Sequence, residues 1–183
     1  LGNFRTAVSS GLKSFRIDFP AMILHRSVMP KLTRVELIAL MPTQAGCAVF
    51  LGDGKKVILF YIDPAVGLSI NTVMSGQKSP RPLTHDLYML TLQAFGAQVS
   101  RVVINAVDGD VFFARLILTA ENEIMEKKII ELDARPSDCL AIAARAEAPL
   151  YITPEVWNSL EDRSSFLEEM RNQQIADGDI DLG

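Results

Sequence analysis

Residues 56–62 read Lys-Val-Ile-Leu-Phe-Tyr-Ile and run into Asp63-Pro64, while residues 127–132 read Lys-Lys-Ile-Ile-Glu-Leu and run into Asp133-Ala-Arg-Pro136. Both runs are rich in the β-branched and aromatic residues that favour strands. Each follows another apolar run and a turn. Residues 47–51 (CAVFL) and Gly52-Asp53-Gly54 precede the first, and residues 111–119 (VFFARLILT) and a loop over 120–123 precede the second. Each also leads into a helical segment, 65–74 (AVGLSINTVM) or the Ala-rich 139–146 (CLAIAARA). Asp-Gly between apolar runs signals a hairpin. Hairpins combined with strand-to-helix joins predict an α+β fold rather than an alternating parallel one. The expected architecture is a mixed, largely antiparallel sheet, built from a duplicated strand–strand–helix unit, with helices packed on it.

Working outward, residues 35–41 (VELIALM) read as a strand stopped by Pro42. Residues 83–97 form the clearest helix, with Leu87, Leu90, Leu92 and Phe95 on a wide apolar face and Gly96 near its C-terminal cap. Gly67 weakens the shorter helix before it. A strand over 99–107 turns at Asp108-Gly109, and 149–153 (PLYIT) is a short last strand. Pro154 starts a final helix over 155–170, for which Trp157 is the anchor. The chain therefore divides into a basic arm or helix (1–33), an α+β domain (34–153), a C-terminal helix (154–171) and an acidic, fraying tail (172–183).

The chain has 183 residues, 49% hydrophobic and 22% charged, ordinary values for a globular protein. No apolar run approaches the ~20 residues that span a bilayer, so no membrane partner is expected. Cys47 and Cys139 alone make neither a disulfide framework nor a zinc site, which points to a reducing, cytoplasmic location. Charge is uneven. Residues 1–34 hold six basic residues and one acid, a balance of +5, and the rest holds twelve against twenty-one, a balance of −9. A basic, acid-poor, serine-containing start reads either as an ordinary helix or arm or as an organelle transit peptide. Phosphate affinity normally needs a basic surface, so nucleic acid could bind this acidic domain only at a local site.

Two segments offer one. Arg81-Pro82-Leu83-Thr84-His85-Asp86 and Arg135-Pro136-Ser137-Asp138 each place Arg-Pro before a helix, with a hydroxyl and a carboxylate in its first turn. Proline suits the first helical position and an acid suits the positive end of the dipole. Helix-start chemistry alone thus accounts for Pro82, Asp86, Pro136 and Asp138. The functional reading adds that free helix N–H groups beside an arginine fork suit a phosphate. His85 is one of two histidines and the natural proton shuttle, against the plainer role of a first-turn residue bonded to backbone. Asp86 and Asp138 could hold a hard cation. Glu36 reads as a solvent-facing strand residue, His25 lacks a metal-spaced partner, and Cys139 reads as core.

The stretch 81–87, Val102-Val-Ile104, Phe112-Phe-Ala-Arg-Leu116, the motif 133–138 with its Ala-rich helix, and Pro149-Leu-Tyr-Ile152 resemble the bifunctional nuclease domain family. The resemblance covers roughly residues 34–153. It implies an α+β domain with an internally duplicated sheet, often homodimeric, with nuclease activity on RNA and DNA. By motif match its polar positions are Arg81, Thr84, His85, Asp86, Arg135, Ser137 and Asp138. The chain departs from the family where members carry Gly after the third strand and Glu at the start of the first helix; here stand Asp63 and Val66.

The expected function is metal-assisted phosphodiester hydrolysis. His85, Asp86 and Asp138 are the catalytic candidates. Arg81, Thr84, Arg135 and Ser137 are the phosphate-binding candidates, and Mg²⁺ or Mn²⁺ would sit on Asp86 and Asp138. The alternatives are a non-catalytic phosphate- or nucleotide-binding regulatory module and a purely structural oligomeric domain; a homodimer is the expected assembly.

Overall fold

The computed structural model describes residues 31–44, 46–77, 79–121 and 127–178. Among them, in chain order, are β1 (Thr33–Thr43), β2 (Gly46–Gly52), β3 (Val57–Ile62), α1 (Pro64–Met74), α2 (Thr84–Ala94), β4 (Ala97–Asp108), β5 (Val111–Glu121), β6 (Lys127–Ala134), α3 (Pro136–Ala146), β7 (Leu150–Ile152), α4 (Pro154–Ser159) and α5 (Ser164–Gly178). The expectations for 1–30 and for 179–183 lie outside the described residues.

The hairpin signals act as read. Asp53 accepts hydrogen bonds from the N–H groups of Lys55 and Lys56, both at 2.9 Å, and Gly54 takes φ +87°. β2 therefore folds back on β3. At Asp108, β4 turns through Gly109, with φ +56°, into β5. The strands form one seven-stranded sheet in the order β3-β2-β1-β7-β4-β5-β6. β7 lies at its centre, antiparallel to β1 and parallel to β4. On each side of β7 stand three antiparallel strands, and the outer strand of each set, β3 or β6, feeds a helix, α1 or α3. The mixed sheet and duplicated unit are as expected, with a third strand in each unit.

β2 is buried along its whole length and separates two apolar layers. Cys47, Val49 and Leu51 point to the main core, with Ile70 of α1, Leu92 of α2 and much of α3. Ala48 and Phe50 point the other way, against Leu167 of α5. This is the two-residue alternation of a strand with both faces covered.

The final helical segment is not one helix over 155–170 but two, α4 and α5, and α5 continues to Gly178 rather than fraying from 172. The break docks onto the start of β3. Arg163 N–H donates to Val57 O at 2.7 Å, and Asp162 accepts from the N–H groups of Val57 at 3.2 Å and Ser164 at 3.0 Å. Lys56 Nζ donates to the carbonyls of Trp157, at 2.6 Å, and Leu160. These contacts hold Leu160 extended. Trp157 anchors α4 as expected, buried in the main core with Val156. α2 is shorter than 83–97 because Gly96, at φ +66°, turns the chain into β4.

Gly67 has a packing role that propensity does not reveal. A Cβ there would lie 2.6 Å from both Cβ and Sγ of Cys47, so α1 approaches β2 as closely as it does only because the side chain is absent. Gly67→Ala should gain up to ~1 kcal/mol of helix propensity, yet overpacking costs typically ~1–3 kcal/mol. The expected outcome is a net loss of stability in urea unfolding; an unchanged or raised midpoint would remove this account of α1 packing.

Candidate functional site

The two Arg-Pro helix starts differ in structure. At α3 the N-cap is Arg135, with extended backbone and Pro136 at the first helical position. Pro fixes that geometry but leaves no capping side chain. Arg135 instead curls over the first turn and forks onto Asp138, Nε to Oδ2 at 2.7 Å and Nη2 to Oδ1 at 3.1 Å. At α2 the acid of the first turn, Asp86, reaches back to accept from Leu83 N–H at 2.8 Å, which is half of a capping box. Its other oxygen accepts from Nε of Arg145, in the last turn of α3.

His85 joins the two. Its Nε2 faces Asp138 Oδ1 at 3.5 Å, and its Nδ1 lies 3.2 Å from the hydroxyl of Ser69, on α1. Ser69 in turn receives Arg145 Nη2 at 3.0 Å, and Arg145 Nη1 donates to Ala141 O at 3.0 Å. A continuous polar chain results: Arg135, Asp138, His85, Ser69, Arg145, Asp86. It crosses α3, α2, α1 and returns to α3 and α2. With neutral His85 its two arginines and two carboxylates balance. Ser69 and Arg145 were not among the sequence candidates.

The chain has one proton order in which every member is matched. Arginine only donates, so Ser69 Oγ accepts from Arg145; when the hydroxyl's own hydrogen points to Nδ1, that nitrogen is bare. Neutral His85 then carries its hydrogen on Nε2, toward Asp138. With only two histidines in the chain, imidazole ¹⁵N spectra resolve this directly. His85 should show a protonated Nε2 and bare Nδ1, and Ser69→Ala should mix the tautomers; a wild-type ring protonated at Nδ1 would overturn the direction of the chain.

The other candidates fare differently. Arg81 and Thr84 are exposed. Arg81 borders a cleft that Asp86 and Arg145 also line, away from Arg135. Ser137 is buried, at 8% exposure, in the first turn of α3. Val66 packs against the main core, and Asp63 caps α1 by accepting from Ala65 N–H at 2.8 Å. Cys139 is a core residue, as read, with burial pushing its thiol up to about 12. Glu36 is exposed.

A divalent cation does not fit Asp86 and Asp138 as they stand. Each of their four oxygens already accepts from a guanidinium or a backbone N–H. Hard cations need six or more oxygen ligands, or retained water, around accessible carboxylates. Among the described residues no three His, Cys, Asp or Glu side chains converge on one point. In this structure both carboxylates are engaged by guanidinium groups, Asp86 by Arg145 and Asp138 by Arg135.

These contacts hold both carboxyls below their ordinary value of 3.8. For Asp86 the hydrogen bond from Arg145 dominates, then the Leu83 N–H. For Asp138 burial pushes upward, but the Arg135 bond and charge, with His85, together outweigh it. A depressed folded-state pKa stabilises the protein above the unfolded-state value and loses that contribution as pH falls through the folded value. Thermal stability should therefore decline as pH drops below about 4, and Asp138→Asn should flatten that decline. An identical acid limb in wild type and variant would show that Asp138 contributes nothing there.

With the geometry in view, comparison with known proteins places the molecule. The bifunctional nuclease domain model matches residues 49–164. Two uncharacterized proteins of Mycobacterium tuberculosis, from strains CDC 1551 and H37Rv, are each 32% identical over 104 residues, 57% of this chain. The aligned part spans 58% of each relative's length.

Proposed function

Because the chain belongs to the bifunctional nuclease domain family, we propose that it hydrolyses phosphodiester bonds in RNA, DNA or both, with His85 as the proton-transfer group and Arg135 as the phosphate clamp. The observation that carries this reading is the placing of His85 between Ser69 and Asp138, with Arg135 on the far side of the same carboxylate. The Arg135 side chain stays 70% exposed while its fork holds Asp138, so its remaining N–H groups face an incoming phosphate. In its protonated form His85 has an Nε2–H beside Asp138, which stabilises the imidazolium. That proton goes to the leaving alkoxide as a water oxygen bonds to phosphorus and the phosphorus–alkoxide bond breaks; the ring is left with its hydrogen on Nδ1, facing Ser69 Oγ, and the attacking water loses a proton to solvent. Ser69, held by Arg145, fixes the ring while this happens.

No step here runs through a cation. Mg²⁺ or Mn²⁺ at Asp86 and Asp138 requires displacement of Arg145 and Arg135, and metal dependence is a separate readout. The saturated carboxylates also favour a second reading, a phosphate- or nucleotide-binding module without turnover. The homodimer remains a proposal, supported by the exposed apolar strip of Leu83, Leu87, Leu90 and Phe95 along α2. Sedimentation showing a monomer at high concentration would remove it. No helix among the described residues is long and apolar enough to cross a membrane.

The deciding experiment is cleavage of end-labelled single-stranded RNA and DNA by contaminant-controlled protein, with Mg²⁺, Mn²⁺ or EDTA. His85→Ala should lower the rate by roughly 10² or more, and Asp138→Asn should also abolish most of it. Cleavage retained in both variants sinks the assignment. Saturable phosphate binding with no turnover selects the second reading.

A further inference from the structure

The polar chain ends at Asp86 and Arg145, and there the protein opens into a cleft of about 760 Å³ between α2, the start of β4 and the end of α3. This volume is in the range of small-molecule sites. Nothing in the proposed chemistry uses it. Its apolar wall includes Met89, partly buried against the main core. Three exposed amides also line it, Gln93 one turn beyond Met89 on α2, Gln98 near the start of β4 and Gln77 after α1, together with Arg81. Asp86 is neutralised by Arg145, so the charge left to meet a ligand is the guanidinium of Arg81. The cleft thus combines one cation, amides and hydroxyls that both donate and accept, and an apolar surface beside them.

Each element has a counterpart in a nucleotide: a phosphate, the hydrogen-bonding edge of a base, and a flat ring. Amide side chains pair with base edges through paired donor and acceptor bonds, and a thioether packs favourably on an aromatic ring. We infer that this cleft is a nucleobase subsite, which takes one unpaired base against Met89 and reads its edge with Gln93 and Gln98 while Arg81 holds the adjoining phosphate. The inference rests on the phosphodiester reading and adds a substrate class to it. A base paired within a duplex cannot enter such a cleft without leaving its stack, at a cost of a few kcal/mol. The protein is therefore selective for single strands or unpaired loops, although its overall charge disfavours nucleic acid.

The test is amide ¹⁵N–¹H NMR on the full chain titrated with AMP, GMP, CMP and UMP, and separately with inorganic phosphate, in wild type, Arg81→Ala and a Gln93→Leu/Gln98→Leu double variant. Both amides are exposed, so the double variant is expected to keep the wild-type spectrum away from the cleft. At least one mononucleotide should shift the signals of Met89, Gln93 and Gln98, whereas phosphate should leave these three in place and shift only those around Arg81 and Arg135. The double variant should weaken the nucleotide about five-fold or more, one hydrogen bond being worth ~1 kcal/mol, and leave phosphate binding unchanged. Mononucleotides that perturb only the regions phosphate perturbs would overturn the subsite. Failure of the subsite and of the nuclease reading are distinguishable. Cleavage of RNA or DNA without cleft shifts removes the subsite alone, and cleft shifts without cleavage remove the nuclease alone.

Discussion

Arg145 buries a guanidinium where three helices meet, its side chain only 6% exposed. A buried charge is tolerable only when paired and fully hydrogen-bonded, and this requirement dictates its surroundings. One donor goes to Asp86 on α2, another to Ser69 on α1, and a third to the carbonyl of Ala141 one turn back on its own helix. Removing any partner strands the charge. The fork therefore locks α1 and α2 against α3, and through Ser69 it also orients His85. Structural and functional roles meet in one side chain: the contact that satisfies the buried arginine is the contact that fixes the ring.

The sheet explains why these three helices meet. With β7 central, its two flanking units place α1 after one edge strand and α3 after the other, and both helices cross back over the same face of the sheet. Equivalent strand-to-helix joins then carry opposite charges, Asp63 in the first unit and Arg135 in the second. The Asp63 charge adds to that of Asp138 in holding Arg135 protonated. What duplication supplies as two similar helix starts has diverged: Asp63 caps its own helix, while Arg135 forgoes capping and turns to Asp138.

Local signals were legible in the sequence and long-range ones were not. Asp53-Gly54, Asp108-Gly109, Pro64 and Pro136 act within a few residues of themselves, so the hairpins and helix starts emerged from reading along the chain. His85, Asp86, Asp138 and Arg135 could be named because they share those helix starts. Ser69 and Arg145 could not. A serine inside a helix reads as a weak helix former, and an arginine in a last turn reads as a partner for the dipole. Their meeting depends on α1 and α3 being brought together from opposite ends of the sheet. The split between α4 and α5 was hidden likewise, since its cause, Asp162 on the Val57 N–H, lies 105 residues away. Gly67 illustrates a misleading local signal, because its helix-weakening propensity conceals the space it leaves for Cys47.

The guanidinium–carboxylate pairs bear on what kind of phosphoryl chemistry the site can support. A cation would supply concentrated charge and an activated water. Arginine supplies the charge in a planar fork, without lowering the pKa of water, so a site built on it must move protons by another group. Within the cluster His85 is the imidazole that meets both α3 and α1, through Asp138 on one nitrogen and Ser69 on the other. Such an arrangement suits slow, proton-limited cleavage or tight phosphate binding more than rapid turnover. It also gives an acidic domain local positive points: Asp86 and Asp138 are each neutralised within the cluster, so Arg81 and the open side of Arg135 are left to present positive charge.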